Sequence, residues 1–460
     1  MKEAPFSKKN LRRFLAVVNC WLLISAIMFV SCSKSDEPLP LAEEIDNDGI
    51  EYTFIDPSDT LNVTICEAED IASAFMDDLV ETDNTLKAAG MRYSTRKATI
   101  IPDDNNEPAM YVVNLYPEGW CIVSATKKTQ SVLAFNDEGK FDVKDLQDGV
   151  VDWLCEKIYE IQEIRSDTAY VIPNGTKLSW NRNKNYAGRT KLYAATPDHT
   201  EICISTIEQY GPLLKTEWDQ CHPFNYNVQL ECNYDVINNN YYHNKAPIGC
   251  VATALIQVLK YWEYPTNKYN WRIMQNYYNG KDYSITASQK EVAKLAINVA
   301  DLLNMDYSCD GSAAKIGDIP NILIKQFNYS SGGTLKELSD NNATKIVSEE
   351  IKNNRPVIIG ACSEKNRQKR FLRKSKISYS GCHAFVCDGF KQNLTKMVGG
   401  NRDGEYLVIK FFHINWGWGC LRKNHSNGWF MIDYLNPEKE GGDDTNYQYK
   451  KQYLYNIKAK

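Results

Sequence analysis

The chain has 460 residues, 43% hydrophobic and 24% charged, with a formal net charge of −5. That length exceeds one ordinary domain and reads as two or three. The mildly acidic balance gives no reason to expect a nucleic-acid partner, and no Cys-x-x-Cys or His-Glu-x-x-His spacing supports a metal or other cofactor.

Residues 1–31 read as an export signal. Lys2, Lys8, Lys9, Arg12 and Arg13 precede an apolar run from Phe14 to Val30. The end of that run, Phe29-Val30-Ser31-Cys32, resembles a bacterial lipoprotein box. The resemblance implies cleavage before Cys32, a lipid on that cysteine and membrane contact through the lipid. A retained anchor and an ordinary signal-peptidase cut are the alternatives. Residues 32–60 are polar and acidic, with Pro38 and Pro40, and form an acidic tether.

Residues 61–165 read as a separate small α+β domain. Ile71, Phe75, Leu79 and Leu86 give Glu67–Leu86 helical periodicity. Met110–Val113, Trp120–Ser124 and Ser131–Phe135 are short strand-like runs. A second helix is predicted over Asp148–Ile164 through Val151, Trp153, Leu154, Ile158 and Ile161. Residues 166–204 are rich in Asn, Lys and Thr and read as a linker. Arg182, Lys184, Arg189 and Lys191 are basic points at which it could be cut.

The chemistry is concentrated in residues 205–460. Gln220 ends Trp218-Asp219-Gln220 and offers a side-chain amide donor ahead of the next motif. That motif is Pro247-Ile248-Gly249-Cys250-Val251-Ala252-Thr253-Ala254. Val251, Leu255, Val258, Leu259 and Trp262 share one face of a predicted helix that Pro265 ends. A thiol on the first turn of a helix meets the positive end of the dipole and unpaired backbone N–H groups, which favour thiolate. A buried inert cysteine is the competing reading.

Glu364 to Lys376 carries seven Lys or Arg residues against one acid and is predicted to be an exposed loop at the rim of a cleft. His383 follows in a short apolar run that ends at Asp388-Gly389. It trails Cys250 by 133 residues, inside the roughly 130–150 found in papain-like thiol proteases. His199, His222, His243 and His425 lie in polar surroundings and read as surface or structural. Tyr406 to Trp416 is a β-branched and aromatic strand that leaves through Gly417-Trp418-Gly419. Asn415 could orient an imidazole there, and Trp416 and Trp418 could keep water from it.

Together these segments resemble the streptopain family of bacterial cysteine proteases, which are papain-like. The resemblance rests on Trp218-Asp219-Gln220 with Pro223-Phe224-Asn225, on Gly249-Cys250-Val251-Ala252-Thr253-Ala254 with Gln257, Lys260 and Tyr261, and on His383-Ala384-Phe385-Val386 with Asp388-Gly389. It also rests on His413-Ile414-Asn415-Trp416-Gly417-Trp418-Gly419 with Asp433 and Leu435-Asn436-Pro437. It implies an α+β fold, with a helical half and an antiparallel β half. It implies a Cys250 nucleophile, a His383 general base and acid, and Gln220 in the oxyanion hole, acting on peptide or protein substrates without a cofactor. Trp416 stands where papain-like enzymes carry the orienting Asn, with Asn415 beside it, so either could contact His383. Residues 61–165 resemble the family's inhibitory pro-domain, which makes the chain a partner of its own enzyme. An unrelated binding module is the alternative for that domain, and a catalytically dead papain-like binding protein is the alternative for the whole.

Positions 382 and 420 are Cys where the family carries Gly, which implies that a Cys382–Cys420 disulfide could brace the histidine strand. Two independent thiols are the competing reading. The wider disulfide connectivity is open.

Overall fold

In the computed structural model, the described residues are 29–30, 61–82, 92–143, 146, 148–173, 175–177, 179–180, 202–233, 241–280, 285–337, 342–370, 373–398, 406–419, 427–431 and 449–460. The chain forms two compact units. One comprises Met1–Leu146, Leu154–Thr206 and Leu394–Val408, and the other Gln147–Trp153, Ile207–Asn393 and Ile409–Lys460.

The first unit contains helix α1 (Ile65–Thr82) and strands β1 (Ser94–Pro102), β2 (Pro108–Tyr116), β3 (Trp120–Ser124) and β4 (Val132–Asn136). The strands pair antiparallel in that order. Every residue of β3 and β4 is buried, so these strands are continuous runs rather than alternating ones. Phe75 of α1 meets Phe135 of β4 edge-on, with ring centroids 5.0 Å apart. The predicted strands are present. β1 escaped the sequence reading because its Ser, Thr, Arg and Lys hide the apolar alternation. Leu86, predicted on the first helix, lies outside the described residues. Helix α2 (Asp148–Ser166) matches its predicted range closely.

The second unit contains helices α3 (Cys250–Trp262), α4 (Ala287–Leu302), α5 (Ile319–Phe327) and α6 (Ala343–Lys352). Its strands are β5 (Ser331–Glu337), β6 (Val357–Arg370), most of β7 (Arg373–Val398), most of β8 (Tyr406–Asn415), β9 (Gly428–Phe430) and β10 (Tyr449–Lys458). The sheet order is β9-β8-β7-β6-β10-β5, with β6 antiparallel to both β7 and β10. This is the expected α+β arrangement of a helical part and an antiparallel sheet.

Two expectations need correction. The stretches 364–370 and 373–376 are not loop: their backbones continue β6 and β7 as an antiparallel pair. Their charges conceal the strand pattern, which β-branched and aromatic residues would have revealed. Helix α3 was expected to bury one face, but every residue from Val251 to Leu259 is buried. Val251, Leu255, Val258 and Leu259 pack into the main core with Val292, Leu295 and Val299 of α4 and with Ile358 and Val386 of the sheet. Burying each large aliphatic side chain is worth about 1.5–3 kcal/mol. The polar residues Thr253 and Gln257 are buried too, one turn apart, and both are hydrogen-bonded.

Candidate active site

Cys250 is the first residue of α3. Gly249 precedes it at φ 96°, a left-handed conformation that side chains resist. A Cβ there would lie 2.6 Å from Met305 Sδ, so packing also demands glycine. Ile248 N–H donates to the Gln220 carbonyl at 3.0 Å, and Thr253 Oγ1 donates to the Asp219 carbonyl at 3.2 Å. These two bonds tie the Gln220 segment to the start of α3. Cys250 is partly buried and outside any disulfide. Its position sets it against the unpaired N–H groups and positive dipole of the helix end.

His383 lies on β7 opposite Ala361 of β6 and is buried. Its Nε2 is 2.9 Å from the Trp416 carbonyl oxygen. A carbonyl only accepts, so Nε2 carries the proton and donates. The neutral ring then keeps its lone pair on Nδ1. Burial pushes the imidazole down to about 4, and the Trp416 carbonyl opposes that shift by favouring the protonated form. The ring stacks on Trp418 at 5.7 Å and on Phe385 at 6.0 Å, between centroids. Phe385 in turn packs against Trp416 at 4.8 Å.

The Trp416 backbone holds His383, whereas the Asn415 side chain points to other partners. Asn415 Nδ2 donates to the Thr216 carbonyl at 2.7 Å and to Gln257 Oε1 at 3.1 Å. Gln257 Nε2 returns a bond to Asn415 Oδ1 at 3.1 Å, and Thr216 Oγ1 donates to Gln257 Oε1 at 2.9 Å. Asn415 Oδ1 also accepts from Gly417 N–H at 3.1 Å, which shapes the turn after Trp416. Gly417 sits against α3, where a Cβ would lie 3.2 Å from Thr253 Cγ2. Gly419 sits against Asp219, with a Cβ position 2.6 Å from Oδ2. The segment 415–419 thus touches His383, the helix that begins at Cys250, and the residue before Gln220.

Asp219, Thr253 and Thr216 were not foreseen as parts of this arrangement, and Gln257 was noted only as part of a motif. Buried polar residues one turn apart on an otherwise apolar helix are the available signal for Thr253 and Gln257. Asp219 is fully buried, and burial raises its carboxyl to about 8 although the Cys221 N–H bond at 2.7 Å works against the rise. It is therefore protonated at neutral pH.

Other histidines also have defined places. His413 Nδ1–H donates to Asp388 Oδ1 at 2.6 Å, and Asp388 Oδ2 accepts from Leu214 N–H at 2.9 Å. His222 is buried and stacks on His243 at 4.1 Å, a structural rather than surface position. The disulfide reading is corrected: Cys382 is bonded to Cys362, its direct neighbour across β6 and β7, and not to Cys420, which lies outside the described residues. The cross-strand register places those two sulfurs together. Cys232 and Cys309 form another bridge.

Residues 218–430 match the Peptidase C10 family, and residues 61–161 match the Spi protease inhibitor. Streptopain from Streptococcus pyogenes serotype M28 (strain MGAS6180) is 22% identical over 364 residues, covering 72% of this chain and 76% of streptopain. The thiol protease/hemagglutinin PrtT of Porphyromonas gingivalis is 23% identical over 359 residues, covering 70% of this chain and 34% of PrtT. Among solved structures, a fragment of Prevotella intermedia prointerpain A covers 76% of this chain and 96% of the fragment, at 19% identity and a TM-score of 0.47. Residues 218–430 are thus similar to a C10 peptidase and residues 61–161 to a Spi protease inhibitor, and the chain is a cysteine-type endopeptidase with a propeptide-like domain ahead of it in sequence.

Proposed function

We propose that Cys250 and His383 form the catalytic pair of this peptidase. His383 Nδ1 takes the thiol proton, and Cys250 Sγ attacks the peptide carbonyl carbon. The negative oxygen is stabilised by the Gln220 side-chain amide and the Cys250 backbone N–H. The imidazolium then returns its proton to the leaving amine as the C–N bond breaks. Water, deprotonated by His383, attacks the thioester and releases the acid product. The observation that carries this reading is the Nε2–H bond to the Trp416 carbonyl, which leaves Nδ1 as the basic atom. Asn415 and Gln257 act one step removed by holding the 415–419 segment in shape. Trp418 covers the imidazole and lowers the local dielectric.

The Spi-like domain keeps the thiol latent until the chain is cut between about residues 160 and 205. The precursor is exported and tethered to the bacterial envelope through a lipid on Cys32. The test is incubation of purified precursor with an epoxide that labels activated thiols, followed by sequencing of any new N-terminus. Labelling of Cys250 only after cleavage supports the reading. A cleaved protein whose Cys250 resists the epoxide overturns it in favour of a binding protein. Mass spectrometry of the membrane-extracted protein, with Cys32→Ala as control, tests the lipid.

A further inference from the structure

The three residues that lead into Cys250 are each held by a hydrogen bond. Thr253 N–H donates to the Gly249 carbonyl at 3.0 Å, and Ile248 N–H donates to the Gln220 carbonyl at 3.0 Å. Pro247 has no N–H, so its backbone can be fixed only through its carbonyl. Pro247 is buried, and that carbonyl accepts from Ser312 Oγ at 2.6 Å. A buried carbonyl requires such a partner. Ser312 is buried too, and its hydroxyl oxygen accepts from Ser308 N–H at 3.4 Å, which leaves the hydroxyl proton for Pro247.

Ser312 belongs neither to the Gln220 segment nor to α3. Its loop follows α4 and closes through a bridge between Asp306 and Ala313, which exchange two backbone bonds of 2.9 Å. The loop backs directly on Gly249, where a Cβ would lie 3.2 Å from the Ser312 carbonyl oxygen and 2.6 Å from Met305 Sδ. Cys309 in the same loop is bonded to Cys232, and Cys232 N–H donates to the Asn244 carbonyl at 2.8 Å. Asn244 lies three residues before Pro247. The loop is therefore anchored twice to the chain that delivers Cys250, covalently at Cys232 and by a hydrogen bond at Pro247.

We infer that Ser312 is a positioning residue for the peptidase reaction: through Pro247 it aims the Cys250 N–H at the substrate oxygen, and the Cys232–Cys309 disulfide holds the loop that presents it. The inference rests on the Cys250–His383 reading, which puts that N–H in the oxyanion hole. Gly249 has no side chain to restrain its own rotation, so the direction of the Gly249–Cys250 peptide depends on how the residues before it are held. A donor displaced by about 1 Å costs up to about 10²-fold in rate. The loss falls on the transition state and spares ground-state binding.

The experiment compares wild-type and Ser312→Ala chains, each processed to the same N-terminus and referenced to the Cys250 that an epoxide labels. It measures kcat and KM on a fluorogenic peptide, and the Ki of a peptide aldehyde and of the matching peptide alcohol. The Cys250 sulfur bonds to the aldehyde carbon, the carbonyl electron pair moves to the oxygen beside the Cys250 N–H, and the thiol proton reaches that oxygen through His383. The alcohol binds without forming a bond. Ser312→Ala should lower kcat about tenfold at constant KM and weaken the aldehyde about tenfold, with the alcohol changed by less than about twofold. Cys232→Ser/Cys309→Ser should show the same pattern at about threefold, and the same two inhibitors on that variant decide where Ser312→Ala does not fold. Equal weakening of both inhibitors, no weakening of either, or a raised KM at constant kcat would overturn the inference. If the wild-type protein cuts no peptide and binds aldehyde and alcohol alike, the catalytic reading fails first and the role of Ser312 falls with it.

Discussion

Two histidines on different strands, both buried, meet opposite kinds of partner. His383 on β7 donates to a backbone carbonyl, and His413 on β8 donates to the Asp388 carboxylate. A carbonyl fixes a tautomer and a direction without adding charge, so the ring stays free to take up and return a proton. A carboxylate ties its histidine into a structural clasp, here extended to Leu214 N–H. Burial is common to both rings; what differs is the partner, a neutral backbone oxygen for His383 and a carboxylate for His413.

The largest expected effect is on turnover. Cys250→Ala or His383→Gln should lower kcat by at least about 10³-fold with little change in the unfolding midpoint. Asp388→Ala should do the reverse. Denaturant unfolding should show a loss of about 3–5 kcal/mol, while kcat per folded molecule changes little. If Asp388→Ala removed turnover without loss of stability, the contrast between the two histidines would collapse.

A third buried titratable group sharpens the comparison. Asp219 is raised to about 8 in the folded chain, above its unfolded value near 3.9. The native state therefore binds the extra proton, and stability is complete below pH 4 and lost as pH rises towards 8. Asp219→Asn retains the acceptor for Cys221 N–H and removes the ionisation. It should match wild type near pH 4 and exceed it by about 5 kcal/mol near pH 8 in pH-dependent thermal melts. His383 has the opposite sign. Its folded value, about 4, lies below the unfolded 6.5, so the unfolded chain binds the proton first. Stability should fall by about 3 kcal/mol between pH 6.5 and pH 4, and His383→Gln should flatten that fall.

The elements that carry Cys250 and His383 were legible because they leave local marks. Gly249 before Cys250, the apolar period of α3 and the turn signal after His383 all lie within a few residues of the group they identify. The Trp416 contact was harder, because the atom that faces His383 is a backbone oxygen that every residue possesses. Asn415 looked like the better orienting group by side-chain type, yet its amide is committed to Gln257 and Thr216. The basic stretch 364–376 looked like a loop because charge masks strand alternation. Its pairing is a long-range property of two strands, invisible in either one alone. Cys382 was paired with the wrong partner for the same reason: register, which neither strand encodes separately, places Cys362 opposite it.

Local sequence by itself determined the helix that begins at Cys250 and the strand that carries His383. Those depend on periodicity and on turn residues, which act over a single element. Tertiary structure alone decided which atom faces the imidazole and which cysteines join. Those depend on strand register and on buried hydrogen bonds between distant segments, where a shift of one residue exchanges every partner.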